Sequence, residues 1–239
     1  MTQVAAILPA AGLGTRMGAE VPKQFLELDG VPLVVFTLRR LAQSDAVTEF
    51  LVATRAEEVE GLEKRLSKEN LGRRKVRVVR GGETRQQSVG NALAQVSAGT
   101  ELVLVHDAVR PLVTRELVDR VIAEARTRGA AILGIPAIDT VKEVRRSSLP
   151  EDVALISATV PRERIVLAQT PQVFSLALLR EAFALAEKDG VTASDEAAVV
   201  ERLGRDVFVV QGSDRNIKIT RPADMELARF YLDQERRKR

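Results

Sequence analysis

The chain has 239 residues, with 36 basic against 33 acidic side chains, 45% hydrophobic residues, 3% aromatics, no Trp, no Cys and one histidine, His106. That size buries a substantial core, while the near-balanced charge and scarce aromatics argue against a nucleic-acid partner and favour small anionic substrates. Disulfides, thiolate nucleophiles and Cys-based zinc sites are excluded, only His106 could serve a Ser-His-Asp triad, and no apolar run approaches a membrane span, so a soluble, cytoplasmic protein without a signal segment is expected.

In chain order, residues 4–8 form a short apolar run bounded by Pro9, which reads as a strand buried on both faces. It leads into Ala10-Ala11-Gly12-Leu13-Gly14, whose small residues let the backbone approach a ligand and aim successive N–H groups at anionic oxygens. Arg16 and Lys23 follow as a fork and a point charge within reach of neighbouring phosphates. Thr15-Arg16 stands where a Walker A loop needs its lysine, and Met17 where the dinucleotide fingerprint needs glycine, so neither motif applies. Taken alone, this loop reads equally well as a tight strand-to-helix turn with two solvated cations.

Strand-like runs at 49–53, 76–79, 102–106 and 131–135 alternate with helical patterns at 32–43, 57–67, 85–95 and 114–128. This is the signature of a mostly parallel α/β sheet flanked by helices, with Asp29-Gly30 and Gly129 supplying turn and C-cap chemistry. Parallel strands place their carboxyl ends on one edge, where ligands bind, so residues 10–18, Gly81-Gly82-Glu83 and Asp107-Ala108-Val109-Arg110 converge as three site segments. Gly81 and Gly82 permit close approach to a ligand, Ser88 offers a hydroxyl to a base edge, and Thr84 reads as a helix cap. Asp107 can hold Mg²⁺ or bond to substrate hydroxyls, and Arg110 can bind a phosphate; an Asp107–Arg110 ion pair that shapes the loop is the plainer reading and is compatible with function. His106 is read as structural.

After Pro136 the rhythm breaks into alternation over 139–144, a turn over 145–150 and alternation again over 156–164, before a run at 166–169. A protruding two-stranded arm from about 138 to 165 is expected, packed on a second copy of the chain. Helices at 176–189 and 195–203, a strand at 207–210 and a last helix from about Ala223, started by Thr220 and Pro222, complete the pattern. Asn216-Ile217-Lys218-Ile219-Thr220 reads as a short extended segment with both isoleucines buried and Lys218 on the opposite face. With no cysteine, one histidine and several phosphate-competent cations, the chemistry favours a substrate that brings its own nucleophile, as in phosphoryl or nucleotidyl transfer.

Leu8-Pro9-Ala10-Ala11-Gly12-Leu13-Gly14-Thr15-Arg16-Met17 with Pro22-Lys23-Gln24, then Gly81-Gly82, Val105-His106-Asp107-Ala108-Val109-Arg110-Pro111, Asp139-Thr140-Val141-Lys142, Gln169-Thr170-Pro171-Gln172, Ser194-Asp195-Glu196-Ala197 and Asn216-Ile217-Lys218-Ile219-Thr220 resemble the 2-C-methyl-D-erythritol 4-phosphate cytidylyltransferases in order and spacing. The resemblance implies a Rossmann-like, mixed and mostly parallel sheet flanked by helices, the nucleotide-diphospho-sugar transferase fold, with a protruding β-arm. It implies one nucleotidyltransferase domain over 1–239 and a homodimer built through the arm at 138–165. The implied reaction passes CMP from CTP to 2-C-methyl-D-erythritol 4-phosphate, with Mg²⁺, releasing pyrophosphate on the non-mevalonate isoprenoid route.

By the same resemblance Arg16, Lys23 and Lys218 are catalytic, and Pro9, Ala10, Ala11, Gly12, Gly14, Gly82, Glu83, Ser88 and Ala108 hold the nucleotide. Asp107, Arg110 and Ser194, with Thr140 and Arg162 from the partner's arm, meet the acceptor; Arg164 is the alternative to Arg162. The metal is implied on Asp107 or on the triphosphate alone. Glu83 stands where the family often has Asp, and Ser194 where it often has Thr. Two other readings remain: a cytidylyltransferase for another polyol phosphate such as ribitol 5-phosphate, and a catalytically silent nucleotide-binding regulatory subunit.

Overall fold

Alternate side chains of a strand point to opposite faces, so an all-apolar strand must be covered from both sides. That holds for β1 (Val4–Pro9), where Val4, Ala5, Ala6, Ile7 and Leu8 have no exposed surface. The structure, a computed structural model, describes residues 3–12, 22–145, 150 and 152–237. After β1 come a small hairpin of β2 (Glu27–Leu28) and β3 (Val31–Pro32), then α1 (Leu33–Leu41), β4 (Val47–Thr54), α2 (Val59–Leu66) and β5 (Lys75–Arg80). Next are α3 (Arg85–Leu93), β6 (Leu102–Val105), α4 (Arg115–Arg128), β7 (Ala130–Pro136), and the pair β8 (Val141–Arg145) and β9 (Leu155–Val160). The chain closes with β10 (Val166–Ser175), α5 (Leu176–Lys188), α6 (Glu196–Glu201), β11 (Phe208–Gln211) and α7 (Pro222–Arg236).

Seven strands form one mixed sheet in the order β11-β7-β10-β6-β1-β4-β5. Every pairing is parallel except those of β10, which runs antiparallel to β6 and β7. Six strands therefore end on one edge, and β10 starts from it. One face is covered by α1, α2 and α4 through Val34, Leu38, Leu62, Val118 and Val121, and the other by α3, α5 and α6 through Val89, Leu179, Ala182 and Val200. A third cluster, with Leu28, Leu33, Val109, Ile219, Met225 and Leu232, seats α7 beside the end of β6.

Local chemistry explains where the elements start. Thr84 caps α3 in a reciprocal box with Gln87, Thr114 accepts from the Leu117 amide at α4, and Asp195 accepts from the Ala198 amide at α6. Asp29 and Gly30 both have positive φ, 53° and 72°, as a two-residue hairpin turn requires, and so β2 and β3 pair across them. The helix expected at 32–43 therefore starts one residue late, at Leu33, and it ends at Leu41.

Two departures concern strands. Residues 170–175, not expected as strand, continue β10; Pro171 is tolerated because the β10–β7 register shifts between Gln169 and Gln172. Residues 216–220, expected as extended, carry no strand pairing, although the Ile219 amide bonds to the Val109 carbonyl at 2.9 Å and Ile219 is buried. The β8–β9 arm stands apart from the main sheet as its own antiparallel pair. It leaves β7 and rejoins β10 at adjacent points, where the Ala137 amide bonds to the Ile165 carbonyl at 3.1 Å. Along it Ile138, Val144, Leu155 and Ile156 are exposed.

Candidate active site

The loops after β1, β5, β6 and β11 meet at the common strand edge around a cleft. Pro9, Ala10, Ala11, Gly12 and Lys23 line one side, Gly82, Glu83 and Ser88 another, and Asp107, Ala108 and Lys218 the third. Eleven of the expected site residues are thus on one wall system, and Lys218 joins the three segments anticipated from the sequence. Arg110 is not on the wall but bonds to Asp107 behind it. Gly14 and Arg16 lie outside the described residues. Thr140, Arg162 and Ser194 do not line the cleft: Thr140 and Ser194 are exposed, and Arg162, on the turn after β9, donates to the Ile138 carbonyl at 2.6 Å.

The glycine loop is anchored where it leaves β1. The Ala10 amide donates to the Ala53 carbonyl at 2.7 Å, and the Ala10 carbonyl accepts from buried Gln24 Nε2 at 2.6 Å. Lys23 therefore immediately precedes a fixed point, Gln24. Across the cleft a Cβ on Gly81 would lie 2.8 Å from the Ala11 Cβ, and one on Gly82 would collide with the Gln87 side chain. Gly81 is needed because two protein loops touch, and Gly82 because its own loop folds back on the first turn of α3, where the sequence suggested approach to a ligand. Ser88 Oγ donates to the Thr84 carbonyl at 2.9 Å and accepts from the Gly82 amide at 3.1 Å. Its hydroxyl braces the loop, which leaves only residual acceptor capacity for a base edge.

Asp107 is the electrostatic centre. Its Oδ2 lies 2.9 Å from Lys218 Nζ and 3.2 Å from Arg110 Nε, and its Oδ1 lies 3.4 Å from Arg85 Nε. Burial would raise its pKa, but Lys218, Arg85 and Arg110 outweigh it and hold the carboxyl well below the usual range. Burial also lowers the pKa of Arg110, against Asp107. The Asp107–Arg110 pair expected from the sequence is present.

His106 supports this carboxylate from below. Its Nε2 is 3.1 Å from the Arg110 carbonyl, which can only accept, so Nε2 carries the hydrogen. Thr170 Oγ1 accepts from the Asp107 amide and donates to His106 Nδ1, both at 3.0 Å. Fully buried, the imidazole is pushed down to about 4 by desolvation and is neutral near pH 7. The structural reading of His106 agrees with this geometry.

Gln24, Thr170, Arg85 and Glu196 were given no role from the sequence. Arg85 lines the cleft, and its Nη1 and Nη2 bind Glu196 Oε1 and Oε2 at 2.7 and 2.9 Å. Burial weakens the Arg85 cation, but Glu196 and Asp107 outweigh it and raise its pKa above the ordinary arginine value. The signal for Glu196 was only that it sits in a motif already singled out, and for Arg85 that it opens the helix after Thr84; nothing in the local pattern marks a charge as buried.

Among the described residues no group of three His, Cys, Asp or Glu side chains is placed to hold a metal ion. Asp107, the candidate ligand, already faces three cations, and such a donor set does not fit a dication. No helix among the described residues is long and apolar enough to cross a membrane.

The sequence model of the 2-C-methyl-D-erythritol 4-phosphate cytidylyltransferase family matches residues 4–234. A relative of that name in Acidobacterium capsulatum is 52% identical, over 97% of this chain and 98% of its own length. Another, in Solibacter usitatus, is 50% identical over 98% and 97%. Among solved structures, the 2-C-methyl-D-erythritol 4-phosphate cytidylyltransferase of Thermus thermophilus superposes with a TM-score of 0.76 at 38% identity, covering 96% of this chain and 98% of that one. The 4-diphosphocytidyl-2C-methyl-D-erythritol synthase of Anaerococcus prevotii gives 0.82 at 29% identity, over 97% and 99%.

Proposed function

Because this chain belongs to the 2-C-methyl-D-erythritol 4-phosphate cytidylyltransferase family, we infer that it transfers CMP from CTP to 2-C-methyl-D-erythritol 4-phosphate, an isoprenoid precursor step. The observation that carries the reading at the level of the site is the Asp107 carboxylate and its three cations facing an anchored glycine loop and Lys23 across one cleft. An acceptor phosphate attacks the α-phosphorus of CTP and pyrophosphate leaves. The protein has to orient two anions and absorb the charge that grows on the leaving group.

The residues divide that work. Gly12, Gly82 and their neighbours leave room for the nucleotide, while Lys23, with Arg16, neutralises the charge developing on the triphosphate. Lys218 stands beside the reacting phosphate, and Asp107 with Arg110 takes the polyol hydroxyls. Mg²⁺ would be carried by the triphosphate, since the donor set among the described residues does not fit it. Thr140 and Arg162, both outside the cleft of one protomer, reach the acceptor's phosphate from a partner's arm; the exposed Val144, Leu155 and Ile156 supply the apolar surface such a homodimer would bury. Residues 1–239 then act as one nucleotidyltransferase domain with a dimerisation arm at 138–165, working in the cytoplasm.

The test is pyrophosphate release from CTP and Mg²⁺ with methylerythritol phosphate or ribitol 5-phosphate as acceptor. Release with the first and little with the second is expected. Preference for ribitol phosphate would overturn the acceptor assignment, and CTP binding with no release from either would return the silent-subunit reading.

A further inference from the structure

Glu196 does not line the cleft and has almost no exposed surface, yet both its oxygens are spent on Arg85, which does line it. We propose that Glu196 is a positioning residue for the transfer: its two-point grip on Arg85 restrains that guanidinium from closing on Asp107 and keeps Asp107 available to the acceptor. The proposal rests on the reading of Asp107 as an acceptor-binding group.

The division of Asp107's two oxygens points this way. Oδ2 is occupied by Lys218 at 2.9 Å and Arg110 at 3.2 Å, whereas among the described residues Oδ1 has only the slack Arg85 Nε contact at 3.4 Å. Oδ1 thus retains the acceptor capacity that a polyol hydroxyl can use. Arg85 has five N–H donors in a rigid fork, and a fork facing a carboxylate tends to bind it bidentately. Here the Nη groups are already committed to Glu196.

The grip is itself held from two directions. The Gln172 side chain on β10 clamps the start of α6, donating to Asp195 Oδ2 at 2.8 Å and accepting from the Ala197 amide at 3.0 Å. Gln86, next to Arg85 on α3, donates to the Val191 carbonyl at 3.0 Å and accepts from the Ala193 amide at 2.8 Å. Helix α3 and the segment entering α6 are therefore fixed to each other independently of the ion pair. If Glu196 lost its charge, Arg85 would turn to Asp107, the carboxylate it already touches.

Steady-state kinetics on Glu196→Gln, on the double variant Glu196→Gln/Arg85→Gln and on Asp107→Asn separate the possibilities. Glu196→Gln should raise KM for methylerythritol phosphate about tenfold while KM for CTP changes less than about threefold. The double variant removes both the restraint and the group restrained, leaving two amides that can pair, so its acceptor KM should fall at least about threefold below that of Glu196→Gln, short of the parent value because Arg85 is one of the three cations around Asp107. A loss that followed only the folded fraction, read by thermal melting, would move both KM values little and would overturn the proposal.

An unchanged acceptor KM in Glu196→Gln, with Asp107→Asn raised, would overturn the restraint and leave the site reading intact. Should Glu196→Gln not fold, the double variant decides: an acceptor KM still raised about tenfold overturns the proposal. An unchanged acceptor KM in Asp107→Asn would remove the acceptor role of Asp107 and the proposal with it.

Discussion

Replacing His106 by Asn should make the protein less sensitive to acid, even though it weakens the fold at neutral pH. The buried imidazole titrates near 4 against an ordinary value of 6.5 in the unfolded chain. Above 6.5 neither state carries the extra proton; between 6.5 and 4 only the unfolded state takes it up; below 4 both do. Stability is therefore lost as pH falls through that window and not regained below it. The full gap is worth about 3 kcal/mol, of which about 2 kcal/mol disappears between pH 7 and pH 5. Asp107, held low by its three cations, keeps its contribution until pH drops below its ordinary carboxylate range, so it does not enter the same interval. Asn does not titrate, can still accept from the Thr170 hydroxyl and abandons the Arg110 carbonyl, at a cost of about 1–3 kcal/mol at pH 7. Urea unfolding of parent and variant at the two pH values measures the difference in slope. Equal losses from pH 7 to pH 5 would refute the assignment of a buried, neutral, Nε2-protonated His106.

Lys23→Ala should lower kcat about 100-fold or more while KM for CTP rises less than about threefold, because the charge matters most as pyrophosphate leaves; equal losses in both would count against that role. Gly81→Ala places a methyl 2.8 Å from the Ala11 Cβ and 3.2 Å from the Thr54 carbonyl, and should cost about 1–3 kcal/mol in thermal unfolding. Adding Ala11→Gly should recover part of that loss, and no recovery would mean that the two loops do not bear on each other. Ile156→Glu, on the exposed arm, should give a monomer by sedimentation and a weakened acceptor KM with CTP binding intact; an unchanged sedimentation coefficient would argue against the arm as the interface.

What the sequence disclosed and what it hid divide along a physical line. β1, β6 and the helices packed on them were legible because burial of whole segments leaves a run or a period in the residues themselves. Asp107 was legible because it ends such a run. β10 was not legible past Gln169, since Pro171 argues locally against a strand and only its neighbours β6 and β7 supply the pairing that overrides it. Gly81 and Gly82 were recognised as necessary but for another reason, because the contact they allow, with Ala11 and Gln87, is made by the fold. Arg85 and Glu196 stand 111 positions apart on helices where charge normally means solvent, and no local pattern distinguishes a buried ion pair from two exposed ends.

The hydrogen bond from the Ala137 amide to the Ile165 carbonyl has a consequence for how this protein can change. β7 and β10 are antiparallel neighbours, so their connection could be an ordinary hairpin turn, and the whole arm is an elaboration of that turn. Its two ends meet where the sheet stops, and the loops that line the cleft all lie on other connections. Residues beyond that junction can be lengthened, shortened or exchanged without altering any pairing in the sheet. The contributions proposed for the arm, acceptor binding by Thr140 and Arg162 and subunit pairing through its exposed apolar residues, thus sit on a cassette apart from the cleft that holds Asp107.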